Sequence, residues 1–494
     1  MPGVVAVRKA IILLSLGLAV ASAACHAAPA HRRLRLLPCE LRSAGGLSLV
    51  KAECGHLKVA EDPARPAARQ LALAVAVVPA ISTIQRPDPL FVLAGGPGEA
   101  ATAFYASVAP AFALIHRDRD IVLVDQRGTG GSNALRCAAD AHVGPPSEAE
   151  IAAETEQCLR QLRRHARVRF YTTDLAVRDL DRVRAALGYR RINLYGSSYG
   201  TVVAQEYIRR HARRVRSVIL DGVVPPQVAI GARSAIDAQR AVRRIFAACA
   251  RRSACRGHFG DPEQLYRHLQ AELAAHPARV MVAQPGVAPR RAQFTHYQLA
   301  QVLRLASYTP ELAALLPLDL HEAVAGDFSP LAGQFALIEH AYGNAIADGM
   351  NNTVVCSEDV PFYHITAAQR ARMRQTFLGT APIDELQQVC RLWPHGPVDP
   401  DFHAPLHADV PALLLSGADD PITPPRYAAE AARGFTHSLS LVIPGSGHGQ
   451  LLDPCMDEVM ARFVRRASVT GLDVACLRNL RPIPFFLTPN GPGP

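Results

Sequence analysis

The apolar positions of this chain keep two rhythms. Short apolar runs, each closed by Gly or Pro, occur at "LALAVAVVPA" (71–80), "PLFVLAGGPG" (89–98), "DIVLVDQRG" (120–128), "RINLYGSSYG" (191–200) and "VRSVILDGVV" (215–224). Runs of this length with turn residues at their ends read as buried strands. Between them, "DLAVRDLDRVRAALG" (174–188) and "VAQEYIRRHARR" (203–214) carry apolar residues at helical spacing, and Gly188 is placed as a C-terminal cap. Strands alternating with helices predict an α/β fold, a mostly parallel sheet with helices on both faces.

The rhythm changes after Pro226. From 227 to 400 the pattern is mainly helical, rich in Ala, Leu and Arg, with few strand-like runs. Strands return at "VPALLLSGADD" (410–420) and "HSLSLVIPGSGHG" (437–449). The simplest organisation is one α/β core in two parts, 36–226 and 401–485, interrupted by a helical lid, 227–400. The 494 residues are enough for a large domain carrying such an insertion.

The first residues differ again. In "RKAIILLSLGLAVASAACHAA", Arg8 and Lys9 precede an apolar run and then small residues. This is the pattern of a signal peptide over 1–27, cleaved between Ala21 and Ala28 and too short for a transmembrane helix. Cys25 could carry a lipid anchor, but Ser22 is a poor residue three positions before it. No later run is long and apolar enough to span a bilayer, so the expectation is a secreted or periplasmic protein. The 11 cysteines agree. Without Cys25 they fall into sequence neighbours, predicting the disulfides Cys39–Cys54, Cys137–Cys158, Cys249–Cys255, Cys356–Cys390 and Cys455–Cys476.

Composition changes this picture little. The chain is 49% hydrophobic and 19% charged, as globular proteins are. A net charge of +10 and a pI near 9.2 raise the question of nucleic acid. The arginines are scattered, however, without a Lys-rich tail or aromatic-interleaved stripe, so a solvated basic surface is expected and no nucleic-acid partner. No cofactor is implied: P-loop and dinucleotide fingerprints are missing. No metal is implied either: the cysteine spacings are not those of zinc sites, and "HEAVA" at His321 lacks a second zinc-binding histidine.

The chemistry is concentrated at "YGSSYG". A serine between glycines, at the junction of a strand and a helix, is a nucleophile elbow, with Ser198 at its tip. A serine hydroxyl needs an imidazole to take its proton and a carboxylate to orient the imidazole. On this kind of fold the chain order is Ser, acid, His. Asp420 follows one downstream strand and His448 follows the next, both at strand ends where open α/β sheets bind ligands. Asp419 is adjacent, and the pattern alone leaves both aspartates open. "LAGGPGE" supplies a glycine loop for an oxyanion hole, with the backbone N–H of Gly96 as one donor and that of Tyr199 as the other.

Together, "GGPG", "VDQRGTGGS", "YTTDLAVRDLDRVRAALG", "YGSSYG", "GADDPITP" and "GSGHG" resemble the α/β-hydrolase serine aminopeptidases, including proline iminopeptidases and secreted tripeptidyl-aminopeptidase-like hydrolases. The resemblance spans about 37 to 485 and is loosest in the lid. It implies the α/β-hydrolase fold, selects Asp420 over Asp419 through the G-x-x-D-P-x-T-P pattern, and gives Arg127 a structural role bracing the oxyanion loop. One departure stands out: the family usually has His before GGPG, where this chain has Ala94. The resemblance also implies a peptide substrate with a free N-terminus. A site that reads an ammonium calls for carboxylates beside the cleft, and Glu358, Asp359 and Glu99 are the candidates. The competing reading is an esterase or other ester/amide hydrolase on the same scaffold, since fold and triad do not fix the acyl group. A silent binding module is disfavoured because Ser198, Asp420 and His448 are all kept.

Overall fold

The computed structural model of the protein describes residues 34–137, 144–284 and 287–491. The expected signal peptide, with Cys25, lies outside the described residues. Eleven strands are described: β1 Leu37–Arg42, β2 Leu49–Ala60, β3 Gln70–Val78, β4 Leu90–Leu93, β5 Ile121–Val124, β6 Ile192–Ser197, β7 Val215–Asp221, β8 Ala278–Gln284, β9 Val287–Phe294, β10 Ala412–Gly417 and β11 Ser438–Ile443. Nine of them form one sheet in the order β1-β2-β3-β5-β4-β6-β7-β10-β11. From β5 to β11 every pairing is parallel; β1, β2 and β3 add an antiparallel edge.

The parallel strands are unbroken apolar runs because both their faces are covered. Successive residues feed opposite sides. Phe91, Val122, Leu194, Val218 and Leu414 pack on one face. Leu90, Val92, Ile121, Leu123, Ile219 and Leu413 pack on the other. The helix Thr173–Ala186 covers the first face and contributes Val177, Leu180 and Val183 to its core.

Between β7 and β10 the described chain forms nine α-helices and the β8–β9 hairpin. This insertion has an apolar core of its own, in which Leu269, Leu299, Leu303, Leu316 and Leu320 are fully buried. The hairpin and the β1–β2 pair were not foreseen from the sequence. All five cysteine pairs are bonded: Cys39–Cys54, Cys137–Cys158, Cys249–Cys255, Cys356–Cys390 and Cys455–Cys476. No described helix is long and apolar enough to cross a membrane.

Chain order and sheet order part company at β4. The chain leaves β4 for β5 on one side, while β6 lies on the other. Such a switch point opens a crevice beyond the carboxyl ends of the strands. The loop after β4 and the turn after β6 both enter it.

Candidate active site

Ser198 follows β6 and opens the helix Tyr199–His211. Its φ of 53° and ψ of −119° lie in a region that residues with a Cβ rarely occupy. Ser198 N donates to Asp221 O at 2.8 Å, and Thr201 N donates back to Ser198 O at 2.8 Å. The flanking glycines are required by contact. A Cβ on Gly196 would lie 2.3 Å from Gly200 O, and one on Gly200 would lie 2.4 Å from Leu93 O. The tightness of the turn thus brings β4, β6 and the helix into backbone contact and leaves the serine side chain half-buried at the crevice.

His448 and Asp420 come from loops beyond β11 and β10. His448 Nδ1 lies 2.8 Å from Asp420 Oδ2. Asp420 also accepts from Ile422 N at 2.8 Å, Thr423 N at 2.7 Å and the Thr423 hydroxyl at 2.7 Å. Asp419 turns the other way, to Arg244 Nε at 2.5 Å. Burial raises the Asp420 carboxyl, but the charge and hydrogen bond of His448 and the donors of Thr423 outweigh it, leaving it below the ordinary carboxylate range. For His448, burial pulls downward; the Asp420 charge and hydrogen bond, with the Asp221 charge behind them, raise the imidazole above its ordinary value.

Gly222 links serine and histidine in space. It follows Asp221, whose carbonyl holds Ser198 N, and a Cβ on it would lie 2.9 Å from His448 Cε1. Among the described residues Ser198 Oγ and His448 share no hydrogen bond. The imidazole is also held from the insertion: His448 N donates to Tyr308 O at 2.7 Å, and the two rings meet edge-to-face at 5.2 Å.

The 94–99 loop crosses over Ser198. A Cβ on Gly95 would lie 3.3 Å from the Ser198 Cβ and 3.4 Å from Glu99 Oε2. Glu99 Oε2 accepts from Gly95 N at 3.1 Å, and burial pushes its carboxyl up to about 7 despite that bond. The insertion braces this loop: Ala347 N donates to Gly98 O at 3.0 Å, and Asn351 Nδ2 donates to Pro97 O at 3.0 Å. Neither Gly96 N nor Tyr199 N donates to another group among the described residues. Arg127 is fully buried and lines a small cavity with Ala94 and Glu99, but among the described residues it makes no hydrogen bond to the loop. It bonds Asp179 at 2.8 Å and the carbonyls of Glu61 and Phe170. In the same turn, Asp125 ties the loop's following helix by accepting from Thr102 N at 3.0 Å.

Glu358 and Asp359 lie buried in the π-turn Val355–Asp359, next to the Cys356–Cys390 bridge. The Glu358 carboxylate accepts from Thr173 N and Thr173 Oγ1, each at 2.6 Å. Thr173 Oγ1 in turn meets the Tyr199 hydroxyl at 2.6 Å, so this acid supports the residue after the serine. Asp359 accepts from Ile230 N at 2.6 Å. Burial raises Glu358 well above its ordinary value and Asp359 to about 8. Thr423, Tyr308 and Asp221 were not singled out from sequence, and Asn351 drew notice only as the start of an N-x-T sequon, not as a support of the 94–99 loop. Only Thr423 had a local signal, as the T of the D-P-x-T stretch.

A family model described as alpha/beta hydrolase fold matches residues 88–258, and one described as TAP-like protein matches residues 375–476. Carboxylesterase B of Mycobacterium tuberculosis is 30% identical over 86% of this chain and 86% of its own. Serine protease Hip1 of the same organism is 27% identical over 84% of this chain and 85% of its own. Tripeptidyl aminopeptidase of Streptomyces lividans is 33% identical over 35% of this chain and 36% of its own. The chain therefore belongs to the α/β-hydrolase family and is a serine hydrolase.

Proposed function

We propose that this protein is an exported serine aminopeptidase that releases N-terminal residues, of the proline or tripeptide type, through an acyl-enzyme. Ser198 Oγ attacks the scissile carbonyl carbon while its proton passes to His448 Nε2, the ring nitrogen opposite Asp420. The amides of Gly96 and Tyr199 receive the oxyanion. The C–N bond breaks as His448 returns the proton to the leaving amine, and water then releases the acyl group by the same route in reverse. The 2.8 Å contact of His448 Nδ1 with Asp420 Oδ2 beside the elbow that presents Ser198 supports the acyl-transfer chemistry, and the observation that carries the choice of a free-amine substrate is the Glu99 carboxyl, which shares Gly95 with Ser198.

The substrate ammonium is assigned to carboxylates at the boundary of core and insertion. Glu99 is the best placed because it and Ser198 flank the same glycine, Gly95. Glu358 and Asp359 are the deeper alternatives, whose bonds to Thr173 and Ile230 would have to be shared with a substrate. The five disulfides favour an oxidising compartment, in keeping with export.

Esterase activity is the second reading, favoured by the likeness to Carboxylesterase B across most of both chains. Hydrolysis of prolyl-, alanyl- and tripeptidyl-naphthylamides, their N-blocked forms and a short p-nitrophenyl ester separates the two. Cleavage of free but not blocked amides, lost in Ser198→Ala, supports the aminopeptidase. Cleavage of the ester alone would replace it with the esterase.

A further inference from the structure

A groove of about 830 Å³ runs between the helix Ser234–Arg251, the start of the helix Pro310–Val324 and the loops after β10 and β11. Six arginines line it, Arg240, Arg243, Arg244, Arg251, Arg252 and Arg372, against one carboxylate, Asp419. Arg244 takes that carboxylate at 2.5 Å. Arg240 and Arg243 reach Asp237 and Glu263 only at 3.4 and 3.7 Å. Arg252 lies over the Phe485 ring and donates to Ile483 O. Arg251 and Arg372 are exposed and have no ionic partner among the described residues. Scattered surface arginines mean little, but six converging on one concavity make a field that selects anions.

The position of the groove is as informative as its charge. It is bordered by Ala418 and Asp419, just before Asp420, and by Pro444 and Gly445, just before His448. Pro310 also lines it, two residues beyond Tyr308, whose ring stands against His448. No residue of the 94–99 loop borders it. None of Ser198, Asp420 and His448 lines the groove; it abuts the loops that carry the acid and the base, on the side where Asp419 meets Arg244, and not the oxyanion loop. In acyl transfer the base hands its proton to the departing amine, so the leaving chain departs on the base's side.

We propose that this groove receives the leaving side of a peptide substrate and selects acidic residues there. This rests on the aminopeptidase reading and adds to it a substrate class: peptides whose chain beyond the cleaved bond carries Asp, Glu or a nearby C-terminal carboxylate.

The test compares kcat/KM for peptides that share an N-terminal tripeptide and differ beyond it, with acidic, neutral or basic residues. The acidic peptide is expected to exceed the basic one by about tenfold at low salt, with the ratio shrinking as salt screens the field. Arg251→Glu with Arg372→Glu is expected to lower the acidic rate and raise the basic one, which a misfolded variant could not do. Equal rates for all three peptides in the unaltered enzyme would overturn the groove and leave the aminopeptidase standing. An acidic preference untouched by the double variant would also overturn it, because recognition would then lie elsewhere. Loss of the proposed function itself would look different: no Ser198-dependent cleavage of any peptide.

Discussion

His448 Nδ1 meets Asp420 Oδ2 at 2.8 Å while Asp420 is held by three further donors from Ile422 and Thr423. The carboxylate is therefore fixed before it fixes the imidazole. A ring held at Nδ1 can present only Nε2 toward the crevice, which is the orientation a general base needs.

Asp420→Asn tests that coupling. An asparagine of the same shape can hold the wrong tautomer, and comparable changes in triads cost about 10⁴-fold in kcat. The pH profile gives a second readout. His448 acts as a base only when neutral, and its pKa is raised from 6.5, chiefly by Asp420 against burial. In the unaltered enzyme kcat/KM should therefore rise through a limb above pH 6.5 and be lost below it. In Asp420→Asn burial remains and the opposing charge is gone, so the limb should move to lower pH while the plateau falls. A limb that stays put would detach Asp420 from the base.

Thr423→Val removes one hydroxyl, the one that donates to Asp420 Oδ2 at 2.7 Å and lies 3.1 Å from His448 Nδ1. A hydrogen bond to a charged group is worth about 1.5–3 kcal/mol, so a fall in kcat of about tenfold or more is expected. KM should change little, because Thr423 is placed behind the imidazole.

Gly222→Ala addresses the spacing of Ser198 and His448. Gly222 has φ +65°, and a methyl there would meet His448 Cε1 at 2.9 Å. The imidazole must shift to admit it. Misplacement by about 1 Å costs on the order of 100-fold. Circular dichroism should be preserved while kcat falls. Full activity would show that the loop absorbs the methyl without moving the base.

The parts of this molecule legible in sequence were those whose signal is local. The parallel strands announce themselves because residues such as Leu90–Leu93 and Ile121–Val124 are buried on both faces. The elbow glycines are legible because Gly196 and Gly200 sit at fixed offsets from Ser198. β1 and β2 escaped because half of each faces solvent and residues such as Glu40, Lys51 and Lys58 break the apolar run. The β8–β9 hairpin escaped for the same reason, with Arg290 and Arg291 inside a strand of a helical region. Tyr308 could not be read at all. Its contact with His448 joins the insertion to the second part of the core, and nothing in its neighbourhood marks it.

Removing the Cys356–Cys390 bridge by serine at both positions should loosen the π-turn that holds Glu358 and Asp359. The cross-link spans 34 residues, and closing a loop of that size stabilises by about 3–4 kcal/mol in the chain-entropy view. A lowered melting temperature is expected, with hydrolysis retained below it, since the bridge does not touch Ser198 or His448.

Glu99→Gln separates substrate recognition from loop support. The Gln side chain keeps an oxygen that can accept from Gly95 N, so the oxyanion loop should hold its shape. What is lost is the charge. With a carboxyl near 7, Glu99 is mostly neutral at pH 6 and mostly ionised at pH 8, so attraction for a substrate ammonium should strengthen as pH rises through 7. For free-amine substrates, whose ammonium itself titrates at about 7.7–8.0, KM should therefore fall from pH 6 to about 7.5 in the unaltered enzyme and stay flat and higher over that range in Glu99→Gln. An N-blocked ester should show neither effect. Glu358→Gln should behave differently. Its carboxylate accepts twice from Thr173, and turning an amide N–H₂ toward those donors leaves a buried pair unmade, at a cost of about 1–3 kcal/mol in stability. A KM effect confined to free amines in Glu99→Gln, beside a lowered melting temperature in Glu358→Gln, would divide the two acids into one that reads the substrate and one that supports Tyr199. A free-amine effect in Glu358→Gln alone would move the ammonium site beneath the insertion.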